Sequence, residues 1–270
     1  METRSADQRP DGWSTGAATY DTVFAPFTGA FADDAVRLLK VLNTDHVIDV
    51  AAGSGAFARR AAATGATVLA TDFAPGMLDV LTTVAHRDGL ATLTTEVMDG
   101  QALSVASNTF DVACSMFGLI FFPNIDVGLR EMARVVRTGG RMAISCWDLE
   151  GFRLIELVTR AVRAAAPDIP LPGGTPPWAR LGAPHTLAAA LIHAGWADVT
   201  VHALEHPLVI PDPITFFHEM PEWSTPARAI LSRIPEGAEA AAARAFALAV
   251  EEAGGDRIPT TALLGTGTAR

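Results

Sequence analysis

Three aspartates and one run of small residues carry the chemistry legible in this chain. Asp49 lies inside a short apolar, β-branched stretch at residues 47–50, and Ala51-Ala52-Gly53-Ser54-Gly55 follows with almost no side-chain bulk. Phe57, Ala58 and Ala61 start a helical period directly afterwards. A buried strand, a glycine turn and a helix N-terminus point backbone N–H groups at a ligand. Asp72 stands at the tip of a second such stretch, residues 67–71, before a helix opened by Pro75. An acid there accepts from both hydroxyls of a ribose, or caps the helix. Asp99 follows a third stretch, residues 93–97, in Asp99-Gly100-Gln101. By itself that is a turn.

Gly53-Ser54-Gly55-Ala56-Phe57-Ala58 also fits the dinucleotide pattern G-x-G-x-x-G/A. Asp49 argues against it, because a carboxylate facing a pyrophosphate has the wrong sign of charge. It suits an ammonium or sulfonium group. Bracing of the loop amides is the other use for Asp49. The nucleoside-type acids that follow favour the ligand reading.

On these residues the chain resembles the class I S-adenosylmethionine-dependent methyltransferases, in the ubiquinone/menaquinone-biosynthesis-like branch (methyltransferase type 11). The family's first motif reads acid-x-G-x-G-x-G. Asp49, Gly53 and Gly55 match it, and Ala51 replaces the first glycine, which a slightly wider turn should tolerate. The run EMARVVRTGGRMAISCW resembles the family's E-x-x-R-V-L-x-P-G-G-x-hydrophobic segment, with Thr138 for proline. Its meaning is structural: a helix stop at Thr138-Gly139-Gly140, then a central strand at residues 141–147. The resemblance covers residues 13–149 in its motifs and the final third in outline.

The resemblance implies S-adenosyl-L-methionine as cofactor, with Asp72 on the ribose and Phe73 and Met77 beside the nucleoside. Asp99 accepts from the adenine amino group, and Gly100 and Gln101 complete that loop. The N-terminal segment closes over the methionine end, where Tyr20 of Tyr20-Asp21 faces the cofactor. Ser115 and Phe117 end the fourth strand, residues 110–115, which borders cofactor and substrate at the point where strand order reverses. That tip carries Phe117, Phe121 and Phe122 and lacks the Asn/Asp-Pro-Pro-Tyr/Phe motif of enzymes that methylate bases.

Behind these residues stand four strand–helix units before residue 150, which read as an α/β fold. The resemblance makes it Rossmann-like: a seven-stranded, mostly parallel sheet in the order 3-2-1-4-5-7-6, with a helical lid and insertions. The chain divides into a disordered stretch at 1–12, an N-terminal cap at 13–42, a cofactor-binding core at 43–149, a lid at 150–184 and a helical insertion at 212–254. The cap holds an amphipathic helix at 33–42. Residues 167–184 are rich in proline and glycine, as a loop or lid would be. Strands at 199–204 and 258–265 form the antiparallel edge. Phe24, Phe121, Trp147 and Trp178 are the expected substrate pocket. Phe152, Phe216, Phe217 and Trp223 serve the pocket or the packing around it.

Methyl transfer from a sulfonium is an in-line displacement, so the protein supplies position and dryness, and no nucleophile is required. A base, if used, is sought among seven histidines. His185, heading a helix beside the lid, and His218, on an insertion helix, are the candidates. The acids are not clustered as metal ligands. A net charge of -10 disfavours a nucleic-acid partner. No run spans a bilayer and the first residues lack an apolar signal core. Cys114 and Cys146 sit in strand-like contexts as buried thiols, consistent with a reducing cytoplasm. A small-molecule substrate is expected, with a homodimer as the candidate assembly. The competing readings are a nicotinamide-dependent oxidoreductase and a protein that binds S-adenosylmethionine without catalysis.

Overall fold

The computed structural model describes residues 6–169 and 177–270, apart from the side chains of Ala6, Pro177 and Trp178. Its strands are β1 (His46–Val50), β2 (Thr67–Asp72), β3 (Leu93–Val97), β4 (Phe110–Met116), β5 (Val136–Trp147), β6 (Trp196–Val209) and β7 (Arg257–Ala269). They form one sheet in the order β3-β2-β1-β4-β5-β7-β6. The first five are parallel, and β7 runs antiparallel between β5 and β6. Val47, Ile48 and Val50 of β1 are fully buried. A strand covered by helices on both faces must be apolar on both, which is why this run does not alternate.

Helices α1 (Pro10–Ser14), α2 (Ala17–Val23) and α3 (Ala25–Leu39) precede β1. Next come α4 (Ala56–Ala63), α5 (Pro75–Arg87) and α6 (Ile125–Val135), which follow β1, β2 and β4 and supply the crossovers. α6 shows how such a helix is specified. The Asn124 side chain accepts from the Val127 amide at 3.1 Å as its N-cap, and Leu129, Met132 and Val135 face the core. α7 (Leu154–Ala165) and α8 (Pro184–His193) lead to β6. The last three, α9 (Pro213–Trp223), α10 (Thr225–Leu231) and α11 (Glu239–Glu252), lie between β6 and β7. Among the described residues, no helix is long and apolar enough to cross a membrane. Cys114 and Cys146 are buried free thiols.

Four local expectations are corrected. Residues 6–8 and α1 are helical where disorder over 1–12 is expected; the Trp13 indole N–H donates to the Asp7 carbonyl at 2.9 Å, and the Gly12 carbonyl accepts from the Thr225 hydroxyl at 2.8 Å. α3 begins at Ala25, not residue 33, because Pro26 in its first turn favours a start there. Thr138-Gly139-Gly140 is no helix stop. β5 begins at Val136, directly after α6, and these residues form an irregularity inside the strand, with Gly139 at φ 75° and a register shift between Phe110 and Val112 opposite. Finally, α7 falls within the segment 150–184 read as a lid, yet Leu157, Val158, Ala161 and Val162 are fully buried. Its apolar face belongs to the core. Residues 170–176 of that segment lie outside the described residues.

Candidate active site

The carboxyl ends of β1, β2 and β4 open onto a cavity of about 1480 Å³, its mouth included. Each wall has a local cause. Ala51 and Gly53 turn away from β1 in the left-handed region, at φ 55° and 56°. Ala51 takes the conformation in which glycine is at ease, so the turn is as tight as with glycine and not wider. Nothing lies within 4 Å of where a Gly53 Cβ would stand, which leaves that backbone open to the cavity. Ser54 also lines it, and its Oγ is buried without a hydrogen-bond partner.

Asp72 binds two loops together. Its Oδ2 accepts from the Gly53 amide at 2.8 Å and its Oδ1 from the Ala74 amide at 2.9 Å. Burial pushes this carboxyl up to about 6, against the pull of those amides. Each oxygen keeps a lone pair for a further donor. Phe73 and Met77 lie beside it on the cavity wall. Asp99 is exposed at the rim; its Oδ1 accepts from the Gln101 amide at 2.9 Å and from Gln101 Nε2 at 3.2 Å. Gln101 Oε1 in turn accepts from the Asn124 amide at 2.9 Å, anchoring the loop to α6. Gly100 is wedged where a Cβ would stand 2.4 Å from Phe122 Cζ and 2.8 Å from Val50 Cγ1.

The opposite wall is aromatic. Phe117 has φ 56°, a strained conformation for a bulky residue. The Phe117 amide donates to Ser145 Oγ at 2.9 Å. Its ring stacks on Trp147 at 3.9 Å between centroids, and Trp147 stacks on Phe152 at 4.2 Å. Tyr20, Phe24 and Phe121 complete that side, with Trp13 over Phe121 at 5.0 Å. Burial pushes the Tyr20 phenol up to about 12. The described residues lining the cavity include no lysine, arginine, histidine or glutamate; Tyr20, Asp72 and Asp99 are the ionisable side chains.

The structure therefore brings Tyr20, Ala51, Gly53, Asp72, Phe73, Met77, Asp99, Gly100, Gln101 and Phe117 around one space, together with Phe24, Phe121 and Trp147. It leaves others out. Asp49 is buried behind the turn, not on the cavity: its Oδ2 accepts from the Ala58 amide at 2.9 Å and its Oδ1 has no partner. It braces the start of α4, the alternative use, and burial lifts its carboxyl to about 8. Gly55 faces α5, where a Cβ would meet Leu81 Cδ1 at 2.2 Å. Ser115 is also set back; its Oγ accepts from the Leu119 amide at 3.2 Å. His185 and His218 are exposed and line no part of the cavity, so neither reaches a reacting atom there. Phe216 and Phe217 pack on Phe246 at 6.2 and 5.3 Å instead. The Trp178 side chain lies outside the described residues.

Met116, at the fourth-strand tip expected to border cofactor and substrate, lines the cavity, as do Leu154, Ile155 and Met220, which the sequence does not mark. Apolar residues on a strand end or helix face look like any other core residue. Only the proximity of Met220 to Trp223 on one helix, three positions apart, hints at a shared face.

Comparison with known proteins agrees with this geometry. Residues 48–144 match a family model described as a methyltransferase domain. An uncharacterised protein of Mycobacterium tuberculosis is 37% identical over 127 residues, 46% of each chain. A demethylmenaquinone methyltransferase of Corynebacterium urealyticum is 37% identical over 135 residues, 48% of this chain and 56% of that one. The chain spans about half the length of the curated relatives it matches. Among solved structures, a putative methyltransferase from Bacillus halodurans aligns with a TM-score of 0.59 at 14% identity, covering 88% of this chain and 98% of that one. An N-methyltransferase of Haemonchus contortus, in complex with phosphomonomethylethanolamine and S-adenosylhomocysteine, aligns at 0.60 with 17% identity, over 100% of this chain and 61% of that one. At these identities the structural likeness establishes the fold.

Proposed function

We propose that the chain is an S-adenosylmethionine-dependent methyltransferase of the ubiquinone/menaquinone-biosynthesis-like branch, a reading supported by the match of residues 48–144 to a methyltransferase-domain model and by the similarity to a demethylmenaquinone methyltransferase. Its substrate is a small, largely apolar or aromatic molecule with one nucleophilic oxygen, nitrogen or carbon. The observation that carries this is the meeting of Gly53, Asp72 and Asp99 with a wall of aromatic rings in one cavity.

The residues present fit the donor. The open backbone at Gly53 and the unpartnered Ser54 Oγ suit its amino-acid end. Asp72 would hold the ribose hydroxyls through its remaining lone pairs. Asp99 would accept from the adenine amino group, with Met77 and Phe73 against the ring. When bound, the donor supplies an electrophilic methyl on a sulfonium. The chain's own part is to orient the acceptor and exclude water. Phe117, Trp147 and Phe152 do the second, since stacked rings leave no polar group to hold a water there. The small lining and the net charge of -10 support a small molecule over nucleic acid.

Isothermal titration tests the reading. S-adenosylhomocysteine is expected to bind and NAD is not. Binding of NAD alone would move the chain to the oxidoreductases. A labelled-methyl turnover assay then separates an enzyme from a protein that only carries the donor.

A further inference from the structure

We infer that the methyl acceptor is the nitrogen of an uncharged amine carried on an apolar or aromatic frame. The inference rests on the methyltransferase reading above and adds the atom that is methylated. It follows from what the described cavity wall holds and how each kind of acceptor would have to balance its charge there.

The acceptor side is formed by Tyr20, Phe24, Phe117, Phe121, Trp147 and Phe152. No described lining residue is cationic, and the two carboxylates, Asp72 and Asp99, stand at the strand tips on the other side of the turn, already engaged with the amides of Gly53, Ala74 and Gln101. Consider a hydroxyl acceptor first. It must lose its proton as the new bond forms, and neither His185 nor His218 is there to take it. Tyr20 keeps its own proton, because burial holds its phenol far above neutrality. An acceptor arriving already as an anion, a phenolate or an enolate, meets a different obstacle. It would leave water for a wall whose described residues offer no cation, with the donor's sulfonium as its one counter-charge.

An uncharged amine meets neither obstacle. Its lone pair forms the new N–C bond, and the C–S bonding pair stays with sulfur. The positive charge passes from sulfur to nitrogen, so the cavity holds one cation before the transfer and one after. No base acts within the site; the amine gives up any proton to water before it binds, and a product from a primary or secondary amine gives up its extra proton to water after release. The aromatic faces favour a cation at that end, which fits the product ammonium.

The test uses three probes on one frame: (2-naphthylmethyl)trimethylammonium, its uncharged carbon isostere 2-neopentylnaphthalene, and 2-naphthylacetate. Binding to the full chain is measured by titration with and without saturating S-adenosylhomocysteine. The ammonium probe is expected to bind about tenfold more tightly than the isostere, and the acetate more weakly than either. Phe152→Leu and, independently, Phe121→Leu should each lower the ammonium-to-isostere ratio while leaving S-adenosylhomocysteine affinity unchanged. In turnover, N-methyl-(2-naphthyl)methylamine should take up labelled methyl and 2-naphthol should not. Equal binding of ammonium and isostere, preference for the acetate, or methylation of 2-naphthol without the amine would each overturn the inference. Failure of S-adenosylhomocysteine to bind would instead take down the methyltransferase reading, and the probe ratio in the free protein would still decide the charge preference.

Discussion

Asp72 Oδ2 accepts a 2.8 Å hydrogen bond from the amide of Gly53, so the acid at the tip of β2 and the glycine turn after β1 form one unit. The side chain that would take the ribose also holds the loop that would take the amino-acid end. Loss of the carboxylate therefore acts twice. Asp72→Ala is expected to weaken S-adenosylhomocysteine binding by about 1–3 kcal/mol, the range for hydrogen bonds to a charged group. Asp99→Ala should cost less, since Asp99 is exposed. Titration calorimetry on both variants checks this, and unchanged affinity in both would place the nucleoside elsewhere.

Asp49 sets a pH dependence of stability. Burial raises its carboxyl from an ordinary 3.8 to about 8 in the folded chain. The folded state therefore holds the proton more tightly than the unfolded one. Its contribution is fully present below about pH 4 and is lost as pH rises through about 8, on the order of a few kcal/mol. Asp49→Asn should flatten the denaturation-midpoint profile between these limits. A profile that keeps its slope in the variant would falsify the assignment.

Ala51 occupies a left-handed position at φ 55°, which costs an L-residue about 1–2 kcal/mol. Ala51→Gly removes that cost and adds freedom to the unfolded chain. A net stabilisation of roughly 0.5–1 kcal/mol is expected, seen as a higher urea midpoint at unchanged slope. A lower midpoint would mean that the alanine methyl packs better than its backbone suggests.

Gly55 is confined on two counts: its φ is 90°, and a methyl at this position would stand 2.2 Å from Leu81 Cδ1. Gly55→Ala should destabilise by roughly 2–5 kcal/mol, combining handedness with overpacking. The companion Leu81→Ala, Gly55→Ala pair relieves only the overpacking, so its double-mutant coupling should be favourable. Additive losses would show that Leu81 moves aside freely.

Cys114 and Cys146 are buried and unbridged, and burial pushes both thiols up. Native protein should react slowly with a thiol reagent, and denatured, unreduced protein should take up two equivalents. Uptake of none would reveal a disulfide.

Much of the site is legible in the sequence because it is local. Gly53, Asp72 and Asp99 each sit within a few residues of a strand end, and a strand–turn–helix unit dictates where such residues point. Asp49 is legible as a functional acid, but its place is not. Strand residues alternate faces, and one position decides between the cavity and the underside of α4. The run alone does not say which face the turn leaves open. Ser115 differs in the same way, its hydroxyl drawn to the Leu119 amide.

From the amino-acid sequence alone came the sheet order, through the family resemblance, together with the nucleoside acids and the aromatic character of the fourth-strand tip. The acids and the aromatic tip are carried by short-range pattern, which chain chemistry determines before any long-range contact forms; the sheet order is carried by the resemblance. Tertiary structure decided the rest. α7 became core because its apolar face meets α11, a partner of high sequence separation: the period of Leu157, Val158, Ala161 and Val162 is legible, but what covers that face is not. Trp223 and Met220 reached the cavity because α9 folds back from between β6 and β7. His185 and His218 stayed outside it because the faces of α8 and α9 that carry them are turned to solvent, and helix orientation is settled by the burial of the opposite face.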